Sequence, residues 1–150
     1  MITDAFNTLT KALSNVSANT TVYFDDAIDL LHSRNIGEGH PVYAVVTVTA
    51  AMVGGSATAS VAIGQNTTQA GQAGGETFLG SAFFNATSPV GTVAVIPVLP
   101  AVGNELSGGK RYIHAKVTIS GGTLTSATFT VTLVPHVADG KIEYPSGFVS

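Results

Sequence analysis

The chain has 150 residues, of which only 10% are charged and none is cysteine, and its formal net charge is -3. That length argues for one domain with a core of its own. The missing cysteines exclude a disulfide framework, a thiolate metal site and a cysteine nucleophile, and fit assembly in a reducing cytosol.

Soluble domains ordinarily carry about 25% charged residues. Here Thr, Ser, Asn and Gly fill the gap, so the surface is polar but uncharged. Six Lys and Arg scattered along the chain make no basic patch, which argues against a nucleic-acid partner. A weakly charged surface is also poor at keeping a protein monomeric. The expectation is a chain that is normally covered by partners.

The opening Met1-Ile2-Thr3-Asp4-Ala5-Phe6 has neither the basic start nor the apolar stretch of a secretory signal. Asp4 can cap a short helix with Phe6, Leu9 and Leu13 on one face, although Thr8 and Thr10 are poor helix formers. Val22 to Leu31 reads as a strand. Tyr43 to Thr49 is apolar on both faces and reads as a central strand, ended by Gly54-Gly55. The longest apolar run, Val42 to Val53, holds two Thr and is too short to span a bilayer, so no membrane role is expected.

Ala57 to Ile63 alternates, with Ala57, Ala59, Val61 and Ile63 on one face. Gly64 to Gly75 is a polar, glycine-rich loop. Glu76 to Phe84 and Gly91 to Leu99 are further strands, and Pro97 marks the second as an edge or a bulge. Arg111 to Ser120 sets Ile113, Ala115, Val117 and Ile119 against outward Tyr112, His114, Lys116 and Thr118. Gly121-Gly122 then turns the chain into Thr123 to Val134, with Phe129, Val131 and Leu133 inward and Thr128, Thr130 and Thr132 outward. The two segments read as an antiparallel hairpin. Pro135 to Ser150 has no period but carries Val137, Ile142, Tyr144, Phe148 and Val149, too many apolar residues for a free tail. It is expected to dock on this domain or on a neighbour.

Seven or eight short strands give an all-β fold, an antiparallel β-sandwich of jelly-roll type. The division is an N-terminal segment at 1–20, the sandwich at 21–134 and a C-terminal arm at 135–150. There is no internal repeat.

Motifs for chemistry are weak. His32, His40, His114 and His136 show no metal-ligand spacing. Asp25, Asp26 and Asp29 are interrupted by Ala27-Ile28 and lack the glycine of a calcium loop. Gly103 to Lys110 superficially matches a phosphate loop, but its spacing is one residue too long, Arg111 follows where Ser or Thr binds magnesium, and it leads into a strand. Sequons at Asn15, Asn19, Asn66 and Asn85 are expected in so Asn- and Thr-rich a chain. There is no Gly-x-Ser-x-Gly elbow, and no Trp to serve as a sugar platform. No catalytic set, cofactor or metal is therefore expected.

Arg34-Asn35-Ile36-Gly37-Glu38-Gly39-His40-Pro41, leading straight into Val42 to Val48, resembles the signature of tailed-phage capsid cement (decoration) proteins. Thr3 to Phe6, Ala27 to Leu30, Arg111 to Ile113 and Ser120 to Gly122 are also similar to that family, whereas Gly64 to Val90 matches only in length and texture and the tail departs from it. The resemblance implies a jelly-roll domain made in the host bacterial cytoplasm and carried on the outer capsid surface of the virion. Its partners would be the major capsid protein and further copies of itself, as a dimer or trimer at a capsid symmetry axis. On this reading the contact residues are Arg34, Ile36, Glu38, His40, Tyr144 and Phe148. The Gly37-Glu38-Gly39 loop can equally be a plain turn into the core strand. The rival readings are a receptor- or carbohydrate-binding module of a phage tail or cell surface, and an enzyme on a double-sheet barrel.

Overall fold

The computed structural model describes residues 8–34, 42–68, 76–98 and 110–134. Among them are nine strands: β1 (Thr8–Val16), β2 (Thr21–Tyr23), β3 (Ile28–Arg34), β4 (Val42–Val53), β5 (Thr58–Asn66), β6 (Thr77–Asn85), β7 (Val93–Val98), β8 (Lys110–Ser120) and β9 (Leu124–Val134). One sheet has the order β1-β9-β4-β7, here called sheet A. The other, sheet B, runs β2-β8-β5-β6, with β3 also paired to β8. All the pairings are antiparallel.

The pairing is symmetric in sequence. β5 pairs β6, β4 pairs β7, β2 and β3 pair β8, and β1 pairs β9. A single long hairpin whose tip joins β5 to β6, rolled up so that successive strand pairs alternate between two sheets, gives this order. It is the jelly roll, which buries one face of each sheet against the other.

The core follows from the period of two along each strand. Val46 and Val48, Val61 and Ile63, Val117 and Ile119, and Phe129 and Val131 are all shielded from solvent. Phe129 meets Phe84 across the sandwich at 5.3 Å between ring centroids, tilted by 53°. The central-strand reading of residues 43–49 holds, since β4 lies between β9 and β7. Pro97 falls on the edge strand β7, opposite Tyr43. Val48 N donates to Thr92 O, so by alternation Ala94 and Ile96 also face β4. Pro97 then points its missing donor at the open edge, where its absence costs nothing.

Three expectations fail. The first is the helix over Leu9 and Leu13: Thr8–Val16 is instead a strand, paired residue by residue with β9. Leu9 and Leu13 are both buried, but a spacing of four residues fits a strand as well as a helix, and Thr8 and Thr10 favour the strand. The sandwich therefore includes residues ahead of Thr21.

The second is the β8–β9 hairpin: β8 lies in sheet B and β9 in sheet A. The Gly121-Gly122 turn crosses between sheets and packs on the preceding crossover. Gly121 has φ +76, and a Cβ there would stand 2.7 Å from Ser56 O. Ser56 Oγ donates to Gly121 O at 2.9 Å. A two-glycine link looks the same in sequence whether it closes a hairpin or changes sheets.

The third is the single strand over residues 22–31, which is broken at Asp25-Asp26 into β2 and β3. The break turns Asp25 towards Lys11, whose Nζ it accepts. Asp is also a poor strand residue. A smaller correction concerns β5, which continues through Gly64, Gln65 and Asn66 because these still pair with His114, Ile113 and Tyr112 of β8.

Candidate interaction surface

The charges separate by sheet. Asp29, Arg34, Lys110, Arg111 and Lys116 lie on strands of sheet B, with Asp25, Asp26 and Glu76 on the connections beside it. Strands β4, β7 and β9 of sheet A contain no charged residue, and β1 contains only Lys11. Lys11 sits on the Leu9 and Leu13 side of β1, opposite Phe129, and its ammonium pairs with Asp25. The outer face of sheet A is consequently uncharged from edge to edge among the described residues.

That face is built in rows by the ladder register. Thr10, Thr130, Thr47 and Val93 form one row across all four strands. Thr8, Thr132, Val45 and Val95 form the next, in which Thr132 is buried, and Tyr43 and Val134 continue the same face beyond it. Neighbouring hydroxyls meet at 3.3 Å in both the Thr8–Thr132 and the Thr10–Thr130 pairs. β-branched side chains suit this pleated surface. Val93 and Val95 stay exposed on the β7 edge, at 54% and 43%.

Sheet B carries ionic pairs, and that of Lys116 lies on its outer side. Arg111 donates from Nε and Nη2 to the two oxygens of Asp29, each at 2.8 Å. These hydrogen bonds to Asp29 hold the Arg111 guanidinium above its ordinary pKa, opposed by some desolvation. Lys116 pairs with Glu76 and also lies 5.7 Å from the Tyr23 ring centroid. Gly64 lies under this pair; a Cβ on it would collide with the Glu76 side chain. Phe78 and Phe83 stand on the same outer face at the β6 edge, 63% and 77% exposed.

His114 was expected on an exposed face. It does point outward from sheet B, opposite Gly64, but it is buried, with Nε2 2.8 Å from Thr68 O. The segment after β5 turns back over it, which no spacing rule on β8 could reveal. The acidic trio is divided, Asp25 to Lys11 and Asp29 to Arg111. Among the described residues no group of three or more His, Asp or Glu is arranged to hold a metal ion, and no helix is long and apolar enough to cross a membrane.

Of the expected contact residues, Arg34 ends β3 with its backbone opposite Lys110. Ile36, Glu38, His40, Tyr144 and Phe148 lie outside the described residues. Sequence reading missed the uncharged face itself. Its signal was present: no charged residue occurs from Thr77 to Asn104, nor from Val117 to Ala138.

The model of the Bbp16 family matches residues 12–133, from within β1 to within β9. The chain belongs to the Bbp16 family. No curated protein matches this Bbp16-family chain. The match covers strands of both sheets, so the two-sided distribution of charge lies almost wholly inside the family's span.

Proposed function

We propose that this Bbp16-family chain is a virion structural protein, a capsid cement protein that binds across major capsid subunits on the outer shell and stiffens it without catalysing a reaction. The observation that carries the reading is the Arg34 to Val48 stretch, whose resemblance to phage cement proteins lies within a family match over 12–133; the family's name points to phage in its own right. The physical design supports it. A jelly roll is a rigid plate, and a plate that touches several neighbours at once gains avidity without any single strong site.

A mass-spectrometric inventory of purified virions tests this reading. The chain should be present at a copy number comparable to that of the major capsid protein. Its absence, or a handful of copies per particle, would refute the proposal. Deletion of residues 135–150 is expected to weaken attachment to the shell or self-association, and unchanged attachment and assembly would make the tail incidental.

One observation favours a second reading. Phe78 and Phe83 are exposed aromatic rings on one sheet face, the kind of platform on which a sugar ring stacks. Glycan-array binding by the full chain that is lost in Phe83→Ser would favour a carbohydrate-binding module instead.

A further inference from the structure

We infer that His114 and Lys116 form one clamp, which fixes both ends of the β5–β6 connection and the start of edge strand β6, and which opens as a unit while the sandwich stays folded. This goes beyond the cement reading and is independent of it, since it rests on contacts within one chain.

The two residues are successive outward positions on β8, about 6.6 Å apart along the strand. His114 is buried, and its Nε2 lies 2.8 Å from Thr68 O, just past the end of β5. A carbonyl only accepts, so Nε2 is the donor. Asn66, itself buried, shapes the same end: its Oδ1 accepts from the Thr67 amide at 2.7 Å. Lys116 donates to Glu76 Oε2, just ahead of β6. Each end of the connection is thus tied to one of the two residues.

The Lys116–Glu76 pair spans a strand. The sheet order is β8-β5-β6, so the ammonium reaches Glu76 across β5. There it passes small residues: Ala62 is opposite Lys116, Gly64 is opposite His114, and both are buried. Gly64 does not have a positive φ. Its missing side chain answers a need for space, because a Cβ would collide with the Glu76 carboxyl. The paired side chains of Lys116 and Glu76 are only 25% and 15% exposed, so solvent screens them less than an open surface pair.

The start of β6 needs such a hold. β6 ends the sheet and pairs with β5 alone among the described strands. That ladder shifts register between Ile63 and Gly64, which leaves only Gly64–Phe78 and Gln65–Thr77 beyond the irregularity. β5 and β8, by contrast, pair without a break from Thr58 to Asn66. They are the firm base to which the clamp ties the weaker strand end. That end carries the exposed ring of Phe78, which the clamp therefore positions. Local opening begins where a fold is least supported.

The test is amide hydrogen exchange of the full chain, followed residue by residue by NMR. Gly64→Ala displaces Glu76 and leaves both clamp residues in place; the collision is with a flexible side chain, so the fold is kept. Lys116→Met removes the ammonium and keeps an apolar stem. His114→Ala removes the other contact. Val46 and Val131 of sheet A are the internal references.

The expected result is that Gly64→Ala and Lys116→Met each speed exchange on the order of tenfold at Thr77 and Phe78 and also at Thr67 and Thr68, the end held by His114. His114→Ala speeds exchange at Thr77 and Phe78 as well as at its own end. Val46 and Val131 do not change. The double variant Gly64→Ala with Lys116→Met exchanges no faster than the faster single variant, because both break one pair. If each variant loosens only its own end, the contacts are separate and the inference fails. Equal acceleration at Val46 and Val131 would show that the sandwich opens whole, and unchanged exchange in every variant would show that nothing is clamped; either result overturns the inference.

Discussion

Replacing Gly121 by alanine tests how the jelly roll changes sheets between β8 and β9. At φ +76 an L-residue costs about 1–2 kcal/mol of backbone strain. The new Cβ would also stand 2.7 Å from Ser56 O, a backbone atom of the neighbouring crossover that cannot rotate away. Forcing that contact apart adds about 1–3 kcal/mol. Gly91 supplies the comparison: its φ is +88, but a Cβ there meets nothing within 4 Å. Gly91→Ala should therefore cost only the backbone strain, about 1–2 kcal/mol, whereas Gly121→Ala should cost about 2–5 kcal/mol. For a chain of this size the latter lowers Tm by about 4–20 °C. Urea melts at matched m-values measure both. Equal costs for the two substitutions would show that the packing of the turn on Ser56 does not matter, and the account of the sheet switch would fall.

Other consequences can be checked together. Phe129→Ala removes a ring that is wholly buried against Phe84 and should cost about 3–5 kcal/mol in chemical denaturation; a loss below about 1 kcal/mol would contradict the core described. His114→Ala removes the buried partner of Thr68 O and should cost about 1–3 kcal/mol, with faster amide exchange at Thr67 and Thr68; unchanged exchange would mean that His114 does not pin that segment. Phe83→Ser should leave stability within about 0.5 kcal/mol, because the ring is 77% exposed; a larger loss by thermal melt would place the ring in a packed environment. Asp29→Asn breaks a bidentate but solvent-exposed pair, and Tm should barely move. A large fall in Tm would mean that the pair anchors β3 to β8.

Much of the fold was legible because each strand of a sandwich writes its own period. Ala57 to Ile63 and Ile113 to Ile119 alternate cleanly, and both prove to line the core. What failed was whatever depends on partners. Leu9 and Leu13 fit two periods at once, and only pairing with β9 decides between them. The Gly121-Gly122 link looks like a hairpin, and only the crossing next to Ser56 shows otherwise. His114 is buried by a segment far away in sequence. The candidate surface was half visible, as outward Thr128, Thr130 and Thr132, but a face is a property of four strands. Its lack of charge emerges only when β1, β9, β4 and β7 are set side by side in register.

The most direct test is an image of the intact particle at a resolution that separates β-sheets. The account predicts jelly-roll density repeated over the outer shell at symmetry-related positions, seated across capsid subunits. A shell bare of such density, or the domain found only on the tail, would contradict it.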